Sequence, residues 1–419
     1  MAYNIKKMFV MLSLGFGSGL PYILLISTST AWLRDVEINL SSIGFFTWLT
    51  FAYTFKFVWA PLVDRFSVPY LSKFGHRKSW ILSMQILILL SLVLISNIDP
   101  TKSFLYFCIF AGIIAFAGSI QDIAIDAFRI EYAHISDQGN LAAAYQLGYR
   151  LAIIVATSVA LIFADINGWS STFKLMSGFM CFGLLGIIFS KENLNTELGK
   201  LTFVNSIIQP FNDFFSRFGF FMASMLLLII ATYRLTDIVM GPMASPFYID
   251  MGFTLSEIGA VVKVVALFAS IAGIFLGGIL IKKIKIYKSL IIGAFLVLIT
   301  NILFAYVAIT DKSLFSLSII VAMDSLAAGI VGTVNIAFLS SLVSKKYTGF
   351  QYALLTGFMA GPGFALKGLS GLWVEHLQQI YGFEYGWMFF YITTSLLTIP
   401  SLIFLILNKL LLIKHEKTL

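Results

Sequence analysis

Charged residues are scarce in this sequence: Asp, Glu, Lys and Arg make up 11% of its 419 residues, against about 25% in an ordinary soluble domain. A soluble fold of this length needs a hydrated exterior, so the shortage excludes that class. Cysteine is nearly absent. Cys108 and Cys181 both lie inside apolar stretches and form no disulfide framework. The four histidines share no metal-ligand spacing with Cys, Asp or Glu, so neither a metal nor a bound cofactor is expected. No His-Glu cluster or nucleophilic serine signature appears either, and the chain reads as a non-enzyme. The formal charge of +8 would suit nucleic acid, but no soluble basic domain exists to bind it.

What is abundant is apolar: 59% of residues are hydrophobic and mean hydropathy is +0.92. A bilayer core about 30 Å thick takes roughly 20 apolar helical residues to cross. Such runs fall near 8–32, 42–63, 79–97, 103–125, 140–164 and 169–190, then near 219–245, 256–281, 289–309, 315–342, 350–374 and 386–412. The expectation is an all-α integral membrane protein of about twelve spans. The first run is too long for a signal peptide and reads as the first span. Lysine and arginine cluster in alternate loops, for example Lys282, Lys283, Lys285 and Lys288, while the opposite face carries only Arg34, Lys102 and Lys312. That bias places both termini in the cytoplasm. The polar stretch 191–218 separates a bundle over 1–190 from one over 219–419, with a short amphipathic helix between Phe203 and Phe215.

Ionisable groups inside the spans cost about 2.5–3.5 kcal/mol each on insertion scales, so each needs a partner, water or a task. The acids are Asp122, Asp126, Asp237 and Asp324, taken as proton-coupling candidates. The bases include Lys56, Arg150, Arg234, Lys263 and Lys367. The last four are substrate or charge-partner candidates. Ion pairs that merely lock helices together are the competing reading. Asp122 and Asp126 share a helix face with Arg129; Arg150 is the expected counter-charge of Asp126. Lys263 and Lys367 either pair with Asp237 and Asp324 or neutralise an anionic substrate. Gly19 and Pro21, Pro242 and Pro246, and Pro362 mark helices expected to bend, with the prolines at 242 and 246 breaking the outer end of the seventh span. Trp32, Trp48 and Trp59 either stack a sugar ring or simply pack.

After the second span come Asp64-Arg65 and then Gly75-His76-Arg77-Lys78. This resembles the loop motif of the major facilitator superfamily, stretched by an insertion, and so does the architecture of two six-helix halves. Gly19-Leu20-Pro21, Ala31-Trp32-Leu33-Arg34, Ile43-Gly44-Phe45-Phe46 and Lys56-Phe57-Val58-Trp59-Ala60-Pro61-Leu62 are similar to AmpG-type muropeptide permeases. Gln121-Asp122-Ile123-Ala124-Ile125-Asp126-Ala127 and Leu147-Gly148-Tyr149-Arg150 extend the likeness, as do Tyr233-Arg234-Leu235-Thr236-Asp237 and Gln351-Tyr352-Ala353-Leu354-Leu355. It spans about residues 12–375 and is tighter in the first half. The resemblance implies proton-driven uptake of anhydro-muropeptides across a bacterial inner membrane; a monomer is expected. Asp122, Asp126 and Arg150 are its matched charges. Acetyl-CoA or an amphiphilic compound is the alternative cargo. Two pseudo-symmetric halves have the binding site between them in that fold.

Overall fold

The computed structural model describes all residues except 1, 57–58, 60–61, 64–65, 133–137, 191–202, 345–347 and 417–419. Among the described residues, eight helical runs are long and apolar enough to cross a bilayer. Two of them, Ala144–Phe189 and Leu255–Val307, hold 46 and 53 residues. At about 1.5 Å per residue either would far overshoot the membrane if straight. Each is instead broken into two helices by a kink, at Gly168 (φ 75°) and at Lys285 (φ 66°), and each of the two pieces is of a length to cross the bilayer by itself.

The chain forms two compact units. The first comprises Met1–Ile38, Phe46–Lys200 and Thr254–Ala260, and the second Asn39–Phe45, Leu201–Phe253 and Val261–Leu419. The helices in order are α1 (Ala2–Ile23), α2 (Ser29–Asp35), α3 (Leu40–Phe46), α4 (Phe51–Thr54), α5 (His76–Ile95), α6 (Phe104–Tyr132), α7 (Gln138–Ile154) and α8 (Ala160–Phe189). They continue with α9 (Phe203–Phe218), α10 (Phe220–Tyr233), α11 (Leu235–Asp250), α12 (Leu255–Glu257), α13 (Lys263–Val307) and α14 (Leu314–Leu342). The last are α15 (Thr348–Lys367), α16 (Ser370–Tyr381), α17 (Phe383–Leu396) and α18 (Ile399–Glu416).

Within the first unit α1 is central, packed on α6, α7 and α8. Its contact with α7 is backbone to backbone. A Cβ on Gly15 would lie 2.0 Å from the Tyr145 carbonyl oxygen, and one on Gly148 would lie 1.9 Å from that of Leu12. Without a strong hydrophobic drive between helices in lipid, close approach of small residues supplies the packing. Gly148→Leu should therefore force α1 and α7 apart and cost about 1–3 kcal/mol, read as a lowered melting temperature of the detergent-solubilised protein. An unchanged temperature would refute the close crossing. The core around this crossing includes Val10, Leu14, Ala124, Phe128 and Leu141. Pro21 sits inside α1 and is followed by a π-helical turn, Leu24–Thr28. A missing N–H loosens the helical ladder at such a place. In the loop before α6, the Thr101 hydroxyl and then its amide hydrogen-bond Asp99 and hold that carboxyl below its usual range.

Within the second unit α13 and α14 cross at Gly273 and Gly329, where each glycine's missing Cβ would strike the partner backbone. Phe214 of the amphipathic α9 is buried in a core with Leu226, Ile229, Val331 and Phe338. Arg217 fixes α9 further, bonding Asp213 at 3.0 Å, the Leu342 carbonyl at 3.0 Å and the Gln351 side-chain carbonyl at 3.1 Å. The two units repeat one device. The Trp169 indole donates to Asp35 at 2.7 Å in the first, and the Trp387 indole to Asp250 at 2.9 Å in the second. Each ties the end of an early helix to a tryptophan of a late one. Leu105, Ile166, Phe220 and Phe315 are at least 70% exposed. Apolar surface on this scale is what a lipid-facing wall requires.

Candidate functional site

The glycine crossing of α1 and α7 decides where the polar groups of the first unit meet. It brings Ser18, flanked by Gly17 and Gly19, against α6 and α7. The Ser18 hydroxyl donates to Asp122 Oδ1 at 2.6 Å and lies 2.8 Å from the Tyr145 hydroxyl. Beside it the Gln121 amide donates to the Gly17 carbonyl at 2.8 Å. One turn before Asp122, Gly118 leaves room for the Tyr53 hydroxyl, which would lie 2.0 Å from a Cβ there. That hydroxyl is buried and has no hydrogen-bond partner among the described residues. The Arg129 guanidinium stands 5.6 Å from the centre of the Tyr145 ring. Asp122 is thus held by a hydroxyl, and among the described residues it forms no ion pair.

Asp126 differs. It sits 3.8 Å from Lys56 Nζ and 3.5 Å from Arg129 Nη2. The expected pairing with Arg150 is therefore not formed. Arg129 wins because it lies one turn away on the same helix, and Lys56 reaches in with a long, flexible stem. Arg150 is half-buried and has no ion pair among the described residues. Asp122 and Asp126, though four residues apart, lean on different partners.

The second unit shows the same division. Asp237 bonds the Arg234 guanidinium at 3.2 Å, whereas Asp324 accepts from the Thr300 hydroxyl at 2.9 Å and has no ion pair among the described residues. Lys367 is buried with its ammonium 3.7 Å from the Phe364 ring centre, a cation–π placement rather than the considered pairing with either aspartate. The Lys263 side chain lies outside the described residues. Asp237→Asn would strand the Arg234 charge, and with that pair only partly shielded from solvent the loss should be about 1–3 kcal/mol. Thermal unfolding in detergent checks this; a drop no larger than that of Asp324→Asn would contradict it.

Pro242 and Pro246 do not break their helix. Leu235–Asp250 is continuous through both, and Pro362 lies within an equally unbroken α15. Both prolines of α11 are buried among packed helices, which can hold the ladder together where an N–H is missing. The discontinuity falls at Arg234 (φ −109°, ψ 10°), between α10 and α11. Trp32 packs in the core, stacked on Trp169 with centroids 5.7 Å apart, and presents no face to a sugar. In the loop motif, Gly75 takes φ 125° at the start of α5. Arg77 donates to the Val63 carbonyl at 3.4 Å and Lys78 to that of Ser190 at 2.7 Å, basic groups on helix-end carbonyls. Asp64 and Arg65 lie outside the described residues.

Sequence reasoning missed Ser18, Tyr145 and Thr300. A serine between two glycines in a span was the available signal, since small residues mark the tight crossings where hydroxyls meet other helices.

Two units of packed helices long and apolar enough to cross a membrane, each holding a hydroxyl-bonded carboxylate, are the build of a secondary transporter. The chain belongs to the Major Facilitator Superfamily, whose family model matches residues 8–368. It is 32% identical over 399 residues to the anhydromuropeptide permease of Escherichia coli (strain K12), covering 95% of this chain and 78% of that one. It is also 32% identical over 413 residues to the putative transporter AmpG 4 of Rickettsia felis, covering 96% and 97%. Among solved structures, a D-xylose–proton symporter superposes with TM-score 0.68 at 13% identity over 94% of this chain and 96% of its own. The nucleoside transporter NupG does so with TM-score 0.67 at 14% identity over 94% and 98%. These last two share the fold.

Proposed function

We propose that this chain is a proton-coupled permease that carries anhydromuropeptides from periplasm to cytoplasm. It sits as a monomer in a bacterial inner membrane with both termini cytoplasmic. The sugar-peptide cargo rests on the likeness to the Escherichia coli permease. The observation that carries the coupling is the bonding of Asp122 to a hydroxyl instead of a cation. A carboxylate paired with Arg or Lys is tied to its charged form. One bonded to Ser18 can take or release a proton, because a hydroxyl serves as donor to the anion and as acceptor from the acid. Ser18 stands between Asp122 and Tyr145, so it can turn from one to the other as the proton arrives. Asp324 with Thr300 is the corresponding carboxyl–hydroxyl pair of the second unit.

In this reading Asp126 and Asp237 are structural ion-pair partners, held by Lys56 and Arg129 and by Arg234. Arg150 keeps its charge for the cargo's carboxylate. In this reading the proton gradient supplies the energy. Uptake of labelled anhydromuropeptide into proteoliposomes under an imposed pH gradient, with unlabelled acetyl-CoA as competitor, tests the reading. Accumulation that ignores the gradient would remove the coupling, and competition by acetyl-CoA alone would reassign the cargo.

A further inference from the structure

One short motif occurs twice, Leu40-Ser41-Ser42-Ile43-Gly44 and Leu255-Ser256-Glu257-Ile258-Gly259. Both copies open a helix, and both pack away from the chain around them. Asn39–Phe45 belongs to the second unit and Thr254–Ala260 to the first. Their first turns are capped in different ways. Thr254 and Glu257 form a complete capping box, with the Thr254 amide donating to Glu257 at 2.8 Å and the Glu257 amide to the Thr254 hydroxyl at 3.2 Å. The other copy has Ser42 where Glu257 stands. Asn39 accepts from the Ser42 amide at 2.9 Å, but no carboxylate of its own closes the box. Glu375 of α16 supplies one. It accepts from the Ser41 amide at 3.0 Å and from the Ser41 hydroxyl.

The seat beneath this segment is bare backbone. A Cβ on Gly44 would lie 2.6 Å from the Gly368 carbonyl oxygen, and one on Gly371 would lie 1.6 Å from that of Leu40. At these two points backbone meets backbone. The cap of Thr254–Ala260 is local and persists wherever that segment lies. Asn39 stays with its own segment, but the carboxylate part of the cap of Asn39–Phe45 exists only while the segment sits on α16.

We propose that Glu375 is a positioning residue that holds residues 39–45 on their glycine seat, and that the transport cycle breaks and re-forms this contact. The Glu375 bonds bias the seated state by a charge-assisted interaction reaching from another helix, whereas the carboxylate of the matching copy's box is its own Glu257. The cycle itself rests on the transporter reading above; the seating of the segment does not.

The test uses the full chain with Cys108→Ala and Cys181→Ala, reconstituted in liposomes. Ile43 is fully buried in the seated segment, so Ile43→Cys labels with a membrane-impermeant maleimide only on release. Adding Glu375→Ala should raise the labelling rate about tenfold or more, the worth of a hydrogen bond to a charged group. Ser42→Glu added to that variant rebuilds a local capping box, and labelling should stay high. Unchanged labelling in Glu375→Ala overturns the proposal. A return to the parent rate with Ser42→Glu also overturns it, because Glu375 would then serve only as a helix cap. In a second arm, Ser41→Cys/Glu375→Cys joined by a thiol crosslinker should stop uptake, and a cleavable linker should restore it on reduction. Full uptake by the crosslinked protein refutes release during the cycle. Absence of anhydromuropeptide uptake in the uncrosslinked parent counts against the cargo, while the labelling arm still decides the seating of the segment.

Discussion

Asp122→Asn abolishes accumulation driven by a pH gradient while leaving cargo binding in place. The asparagine side chain keeps the shape of a protonated carboxyl and still accepts from Ser18, so the packing around α1, α6 and α7 is undisturbed. What it loses is the exchange of a proton. One proton descending about 100 mV delivers roughly 2.3 kcal/mol, which sustains about 50-fold accumulation at 1.4 kcal/mol per tenfold. The variant should equilibrate its cargo and go no further, so the expected loss is that whole ratio. Measuring the steady-state internal concentration of labelled cargo, alongside counterflow exchange at equal pH, separates coupling from transport. Accumulation equal to the parent's would end the role given to Asp122. Ser18→Ala should fall between the two, since it removes the hydroxyl relay and leaves the carboxyl.

Arg150→Ala weakens cargo binding by about 10- to 100-fold, the worth of roughly 1.5–3 kcal/mol for hydrogen bonds to a charged group. Asp126 is occupied by Lys56 and Arg129, and Arg150 has no ion pair among the described residues. A half-buried guanidinium within a membrane-crossing helix is costly without an anion, and the carboxylates of a peptide cargo supply one. Arg150→Lys should recover part of the affinity, because lysine keeps the charge but loses the forked geometry that grips a carboxylate. The concentration dependence of initial uptake rates gives the answer. A half-saturation value unchanged in Arg150→Ala would place the cargo elsewhere.

The membrane architecture was legible because the solvent enforces it. Long apolar runs, broken by basic loops on one face, have few physical solutions in lipid. The superfamily was readable from short motifs in the first half, such as the segment around Asp122. The partners of the charges were not. Asp126 had Lys56, Arg129 and Arg150 within plausible reach in sequence terms, and helical spacing ranks only the one on its own helix. Lys56 came from another helix. The prolines at 242 and 246 misled for a related reason. Proline in isolation breaks a helix, but buried neighbours maintain α11 through both, and the discontinuity falls at Arg234.

By itself the sequence determined how many residues had to be apolar, where the chain re-enters water, and which residues carry charge into the hydrocarbon. Those are one-dimensional properties, fixed by the transfer energy of each segment. Only the tertiary structure decided which carboxylates meet hydroxyls and which meet cations. That choice depends on how closely α1 approaches α7 at Gly15 and Gly148, and on a carboxylate from α16 reaching Ser41. Hydrogen bonds act over about 3 Å, and only the packed helices fix separations that fine.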